Sequence, residues 1–232
     1  MNRTSLALLG LALSACASLP FKSERRLAEG DLDYRVHKLA VLPMPLTFRA
    51  CPDEIDRRAR KEALIGEITH TAVEQVKTRG YEVVEATLED AARDPKSAFA
   101  TALGNALCAN ALQTLPPEVA SVVEAAALRS GASQVLLGGI SRLRWHLKME
   151  LGENNGSGGD NVSKFEVRGA AAIYDVAQKR VVWSEYVETE LFTGSYRDAI
   201  DRVLLFSELK HSDPHEKLFY DLPLPARAAV NH

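Results

Sequence analysis

Three cysteines and six histidines carry most of the reactive chemistry open to this 232-residue chain. Cys16 ends the stretch "LALSAC", behind the lone charge of Arg3, the apolar run Leu6–Leu13 and the small residues Ser14 and Ala15. A charge, an apolar run and small residues in that order form a secretory signal peptide. The run is far short of the ~20 residues a membrane-spanning helix needs. The competing reading makes Cys16 a buried thiol on a core helix, but such a helix would have no polar face. His211 and His215 in "HSDPHEK", with Asp213 and Glu216 beside them, offer nitrogen and oxygen ligands. Pro214 breaks the helix that would set both imidazoles on one face, so a solvated loop and no metal are expected. Cys108 in "GNALCANAL" has no histidine near it in sequence. The "GSG" of Gly156–Gly158 lies in a glycine-asparagine loop unsuited to fixing a nucleophile. Gly138 and Gly139 have the wrong spacing to cradle phosphate, and are read as letting a neighbouring chain approach a sheet. There is no G-x-S-x-G, H-E-x-x-H, P-loop or dinucleotide fingerprint. No cofactor and no enzymatic activity are expected, against the competing case of a site assembled from distant segments.

"LSAC" resembles the lipobox of bacterial lipoproteins. The resemblance implies removal of residues 1–15, a thioether-linked diacylglycerol on the Cys16 sulfur and acylation of its new amino group. Two or more acyl chains hold a protein stably at a membrane. The expected product is a domain folded in water and tethered through Cys16. Ala17, where an aspartate would favour the inner membrane, directs the expectation to the outer membrane, facing the periplasm.

Composition is that of an ordinary globular domain, with 46% hydrophobic and 25% charged residues. The formal charge is −3; without Arg3 it is −4, from 27 basic and 31 acidic residues. No clustered basic surface points to nucleic acid. Cys51 and Cys108 would remain after lipidation. Two thiols in an oxidising compartment tend to pair, so a Cys51–Cys108 bridge is expected, with two separate buried thiols as the alternative.

The elements that must position these residues follow along the chain. Residues 16–33 are polar and without period, and read as the lipidated N-terminus and tether. "HKLAVLPM", His37–Met44, suits a buried strand closed by prolines. A long helix is expected from Pro52 to Gly80, with Ile55, Ala59, Ala63, Ile68, Ala72 and Val76 on one face. On it, Asp53–Arg57, Glu54–Arg58 and Asp56–Arg60 are acid-before-base pairs. "GYEVVE" reads as a strand, and Leu88–Leu115 as helical but broken near Asp94–Pro95. A further helix runs from Pro117 to Arg129 with Gly131 as its cap. "GASQVLLGGI" enters a third strand, which continues with Leu143, Trp145, Leu147, Met149 and Leu151 facing inward. "VSKFEVRGAAAIYDV" and "VVWSEYVETEL" complete an antiparallel meander. In its first hairpin, Lys148 is expected opposite Glu166, Glu150 opposite Lys164 and Trp145 opposite Gly169. Ser195 and Asp198 form a capping box for a last helix. The expected class is α+β: one mixed sheet covered by helices, in the order β-α-β-α-α-β-β-β-α, over a single domain of residues 34–222 with a tail at 223–232.

"HKLAVLPM", "GYEVVE", "GASQVLLGGI" and "AAAIYDVAQKRVVWSEY" together resemble a group of envelope proteins related to the amino-terminal domain of the translocation protein TolB. The group includes the curli-secretion lipoprotein CsgG and the lipoprotein LpoB. The resemblance spans most of residues 36–210, and implies a non-catalytic part in secretion, transport or wall synthesis. No long amphipathic segment fit for a transmembrane barrel is present, and no docking motif can be carried over. The expected function is a lipid-anchored adaptor or assembly component with an unidentified envelope partner, open to homo-oligomerisation. The alternative is a small-molecule or glycan binding module using a pocket at the sheet's edge.

Overall fold

The computed structural model describes residues 22–27, 35–44, 55–62, 65–150 and 161–204, and near the C-terminus residues 219, 222, 223 and 225. Among the described residues, six strands form one mixed sheet in the order β1-β6-β5-β4-β2-β3. They are β1 (Lys22–Leu27), β2 (Lys38–Val41), β3 (Glu82–Glu85), β4 (Gln134–Glu150), β5 (Asn161–Asp175) and β6 (Arg180–Thr193). β2 lies parallel to both β3 and β4, whereas β4, β5, β6 and β1 are successively antiparallel. Helical crossovers between the early strands and the tight turn from β5 into β6 suit that mixture, as expected for this class.

Helices cover both faces. α1 (Ala59–Glu62), α2 (Ile65–Thr78) and α6 (Tyr196–Leu204) lie on one side. There Ala59, Ala72, Val73, Val76, Ala199, Ile200 and Val203 pack with Leu39, Leu136, Phe165, Ile173 and Trp183. α3 (Asp90–Arg93), α4 (Ala98–Cys108) and α5 (Pro117–Ser130) lie on the other, where Phe99, Leu103, Leu107, Val119 and Val123 meet Val135, Leu137, Ala170 and Ala172. The break between α3 and α4 falls at Asp94–Pro95, and the Ser97 hydroxyl caps α4 by accepting the Ala100 amide at 3.0 Å. Pro117 opens α5, and Gly131 closes it at φ 60°, a conformation that suits glycine.

β4 and β5 approach closely at Gly138, where a Cβ would lie 2.5 Å from the Ala170 carbonyl oxygen and 2.8 Å from Ala171 Cα. The close approach expected of "LLGGI" is made by backbone. The Asp175 carboxylate receives the Gln178 amide at 2.8 Å in the turn into β6, with Lys179 left-handed at φ 52°. The Ser195 hydroxyl accepts the Asp198 amide at 3.2 Å at the start of α6.

Several expectations are corrected. Part of the segment read as tether, Lys22–Leu27, is strand β1, so the observed order is β-β-α-α-β-α-α-α-β-β-β-α. Its residues, KSERRL, show no apolar alternation because it is an edge strand. The long helix does not begin near Pro52: Ile55 is buried in a parallel bridge to Leu143, and the Asp56 amide donates to the Leu143 carbonyl at 3.0 Å. The Asp56 carboxylate then accepts the Arg58 amide at 2.7 Å, a side-chain turn that delays helix to Ala59. Asp53 and Glu54, from two of the expected ion pairs, lie outside the described residues. Pro223 is buried, the Tyr81 hydroxyl donates to its carbonyl, and Pro225 bridges Val36. These tail residues therefore belong to the fold. Burial also pushes the Tyr81 hydroxyl up to about 12.

The first hairpin does not take the expected register. From Gln134 to Ile140 β4 keeps one register with β5. It then shifts between Ile140 and Arg142, and again between Trp145 and Leu147. Arg142 therefore faces Arg168, Arg144 faces Glu166, Trp145 faces Phe165 and Lys148 faces Ser163. Trp145 is 38% exposed rather than buried, with the Arg58 guanidinium 5.8 Å from its ring centroid.

Candidate functional site

Beyond Arg142, the side chains of β4, β5 and β6 that alternate onto the face of α3, α4 and α5 change from apolar to charged. Ala170 and Tyr186 pack in the apolar cluster. The next residues on the same face are Arg168, Glu166 and Lys164 on β5, and Glu188 and Glu190 on β6. Arg142 and His146 on β4 join them. Arg168 meets Glu188 at 2.7 Å, and Arg142 lies 3.7 Å from the same carboxylate oxygen while pairing with Glu166. His146 Nε2 is 2.9 Å from the other oxygen of Glu166, and Lys164 is 2.8 Å from Glu190. The Tyr186 hydroxyl donates to Glu188 at 2.7 Å, with the Arg168 guanidinium 6.0 Å from its ring.

Burial pushes the Glu166 carboxyl up, but the hydrogen bonds and charges of Arg142 and His146 outweigh it and hold the group below its usual range. Glu188 follows the same pattern: burial raises it, and Arg168, Tyr186 and Arg142 together lower it. Burial and the bond to Glu188 raise Tyr186 further above its usual value. Both glutamates are thus ionised at neutral pH. They suit a fixed ion-pair ladder better than proton transfer, which wants a carboxyl poised near the operating pH.

A second polar feature lies on the opposite face. Glu185 is 5% exposed on a strand whose neighbouring inward residues, Trp183 and Val187, are fully buried. The register sets Arg25 of β1 opposite it.

Cys108 stands at the C-terminal end of α4 and is disulfide-bonded. Cys16, Cys51, His211, Asp213, His215, Glu216 and Gly156–Gly158 lie outside the described residues. Among the described residues, no group of three or more His, Cys, Asp or Glu side chains could hold a metal ion. Among them, too, no helix is long and apolar enough to cross a membrane. The structure thus brings together a ladder that sequence reasoning missed. Its visible signal was the alternation of Lys164, Glu166 and Arg168 with that of Glu188 and Glu190, which gains meaning only with β6 placed beside β5.

No family model matches the chain, and no curated relative matches it. Among solved structures, it is similar to a variant PelC dodecamer from Paraburkholderia phytofirmans, at 16% identity over 90% of this chain and 100% of that one, with a TM-score of 0.43. It is also similar to lipoprotein GNA1162 from Neisseria meningitidis, at 15% identity over 68% of this chain and 85% of that one, with a TM-score of 0.37. Likenesses this distant leave the fold to rest on strand order and register.

Proposed function

We propose that the protein is a lipid-anchored, non-catalytic adaptor or assembly component of a cell-envelope machine, held at the outer membrane through Cys16 and facing the periplasm. The observation that carries this reading is the spacing between Cys16 and β1. Five residues, 17–21, separate the lipobox cysteine from Lys22, where the sheet begins. Six backbone steps of about 3.3–3.6 Å reach at most ~20 Å. A lipid on Cys16 therefore keeps the β1–β6 edge close to the bilayer, which suits a part that works by presenting surfaces at the membrane. The ladder agrees with that role, since its groups are ionised and engaged with one another. The resemblance of four segments to the TolB amino-terminal-domain-like group supports the same class of function.

The alternative, a glycan or small-molecule binding module, draws on half-exposed Trp145, an aromatic surface of the kind sugars stack on. The Arg58 guanidinium placed over that ring competes for the same face.

The test is fractionation of wild type and Cys16→Ser in cells fed a labelled fatty acid. Label on the wild type alone, with Cys16→Ser uncleaved or released from membranes, is the expected result. Wild type at the outer membrane without label would refute the anchor. Crosslinking in cells followed by mass spectrometry should recover a protein partner, and recovery of none counts against the adaptor.

A further inference from the structure

Leu143 on β4 is fully buried, whereas Trp145, two residues on, is 38% exposed beside the second shift of register. A bulge re-aims the side chains next to it, and here an indole stands half out of the surface. The bridge of Ile55 to Leu143 and the Asp56 amide on the Leu143 carbonyl bring residues 55–60 to the same place. Arg57, Arg58 and Arg60 are exposed, with the Arg58 guanidinium 5.8 Å from the Trp145 ring centroid. Against these three cations, residues 55–60 hold one acid, Asp56, whose carboxylate receives the Arg58 amide. The strand register sets the start of β1 at this end of the sheet too. Lys22, its first residue, shares a row with Glu188, Arg168 and Arg142. Trp145, Phe165 and Leu191 form a row three residues farther along β6. Three residues of strand and three strand spacings separate the Trp145 and Lys22 backbones by about 17 Å. Residues 17–21 reach at most ~20 Å, so a lipid on Cys16 would bring the bilayer within range of Trp145.

We propose that Trp145 with Arg57, Arg58 and Arg60 forms a second contact with the membrane, seated on the headgroups of anionic glycerophospholipid. The contact rests on the proposed lipidation of Cys16 for its nearness to the bilayer, and adds an orientation to it. Indole rings favour the headgroup level of a bilayer. Guanidinium groups bind phosphate through paired N–H donors. A ring already held beneath Arg58 offers both at once, and neighbouring Arg57 and Arg60 add charge of the sign that anionic lipid attracts. Each arginine near such a surface strengthens the contact roughly five-fold. With this end of the sheet on the membrane, the turn from Asp175 into Arg180 lies at the end facing away from it.

The experiment reads tryptophan fluorescence of the protein purified from cells and mixed into vesicles of phosphatidylcholine, with and without phosphatidylglycerol. The lipids are brominated high on their acyl chains. Trp183, the other tryptophan, is fully buried, so Trp145→Phe gives the background. Bromine should quench Trp145 in vesicles that contain phosphatidylglycerol, and added salt should relieve the quenching. Arg57→Gln with Arg60→Gln leaves Arg58 over the ring, and should lower the ratio of docked to undocked protein roughly twenty-fold. Wild-type emission quenched no more than that of Trp145→Phe would overturn the proposal. So would quenching that depends neither on phosphatidylglycerol nor on the two arginines. Relief of the quenching by a soluble sulfated glycan at equal salt would assign the patch to an anionic polymer instead. Labelling of Cys16 is read on the same protein. Label without quenching removes the second contact alone, whereas quenching without label removes the anchor alone.

Discussion

Between Gln134 and Ile140, β4 holds one register with β5, helices cover both faces, and the facing residues include Gly138, Gly139 and Ala170–Ala172. Beyond Arg142 the same two strands slip twice, and one of their faces carries ions. In the lower half, close packing decides the register, because a one-residue shift would move apolar side chains away from α4 and α2 alike. In the upper ribbon, Leu143, Phe165, Val167 and Leu191 still anchor one face, and Phe165 meets Tyr196 edge to face at 4.8 Å. The other face answers to charge, and bulges re-aim the side chains until each carboxylate finds its cations. The same alternation of residues can therefore be settled by volume at one end of a strand and by charge at the other.

Substitutions can break that contrast. The largest expected effect is in the packed half. Trp183→Ala removes a fully buried ring and should cost about 3–5 kcal/mol, with little dependence on pH. Denaturant unfolding at pH 7 and in acid measures it, and a loss below ~1 kcal/mol would mean that the face under α1, α2 and α6 is not tightly packed around Trp183.

Next comes the cross-link of α4, the helix packed on that half. Cys108 is disulfide-bonded, and the proposed lipidation of Cys16 leaves Cys51 as the expected partner. Cys51→Ser and Cys108→Ser should each lose about 2–5 kcal/mol, and the double variant no more than either. Alkylation of Cys51 in unreduced, denatured protein would rule the pairing out.

Gly138→Val sharpens the volume argument at one position. Its side chain would meet β5 backbone, which cannot swing aside as a side chain can, and a cost of about 1–3 kcal/mol is expected. Gly194→Ala is the control, because its Cβ would meet only the Asp198 carboxylate at an ordinary 3.6 Å. Equal losses at the two glycines would remove the distinction.

Much of the packed half was legible in the sequence, for physical reasons. Apolar runs bounded by proline mark β2, and Pro117 with Gly131 brackets α5 because each suits the backbone there. The ribbon was less legible. Weighing Lys164 and Glu150 within one hairpin ignores Glu190, which pairs with Lys164 from a third strand, as Glu188 does with Arg142 and Arg168. β1 was hidden because an edge strand can be polar throughout. Ile55 followed a helical spacing by chance, since its burial comes from pairing with Leu143. The candidate surface was hardest of all: alternating charges reveal that a face is polar, whereas the partners depend on register.

The smallest expected effect tests the ladder through pH. Glu166 and Glu188 are held below the usual carboxylate range in the folded protein, so the folded state binds their protons more weakly than the unfolded state does. Their contribution to stability is complete above the unfolded glutamate value of about 4.3, and drains away as pH falls through that value toward the folded ones. Glu166→Gln with Glu188→Gln should cost about 1–2 kcal/mol at pH 7, since half-buried ion pairs are worth little more than exposed ones. The same pair of substitutions should flatten the acid slope of the urea midpoint below about pH 5. Trp183→Ala, by contrast, should lower the curve without changing its shape. If the double variant keeps the wild-type slope, these carboxylates are not what acid unfolding titrates. If Trp183→Ala flattens the slope as well, packing and charge are coupled across the sheet and the two halves form one unit. Parallel curves for wild type and Trp183→Ala, with a flatter one for the glutamine variant, would establish that the ribbon's ions and the core's volume contribute separately.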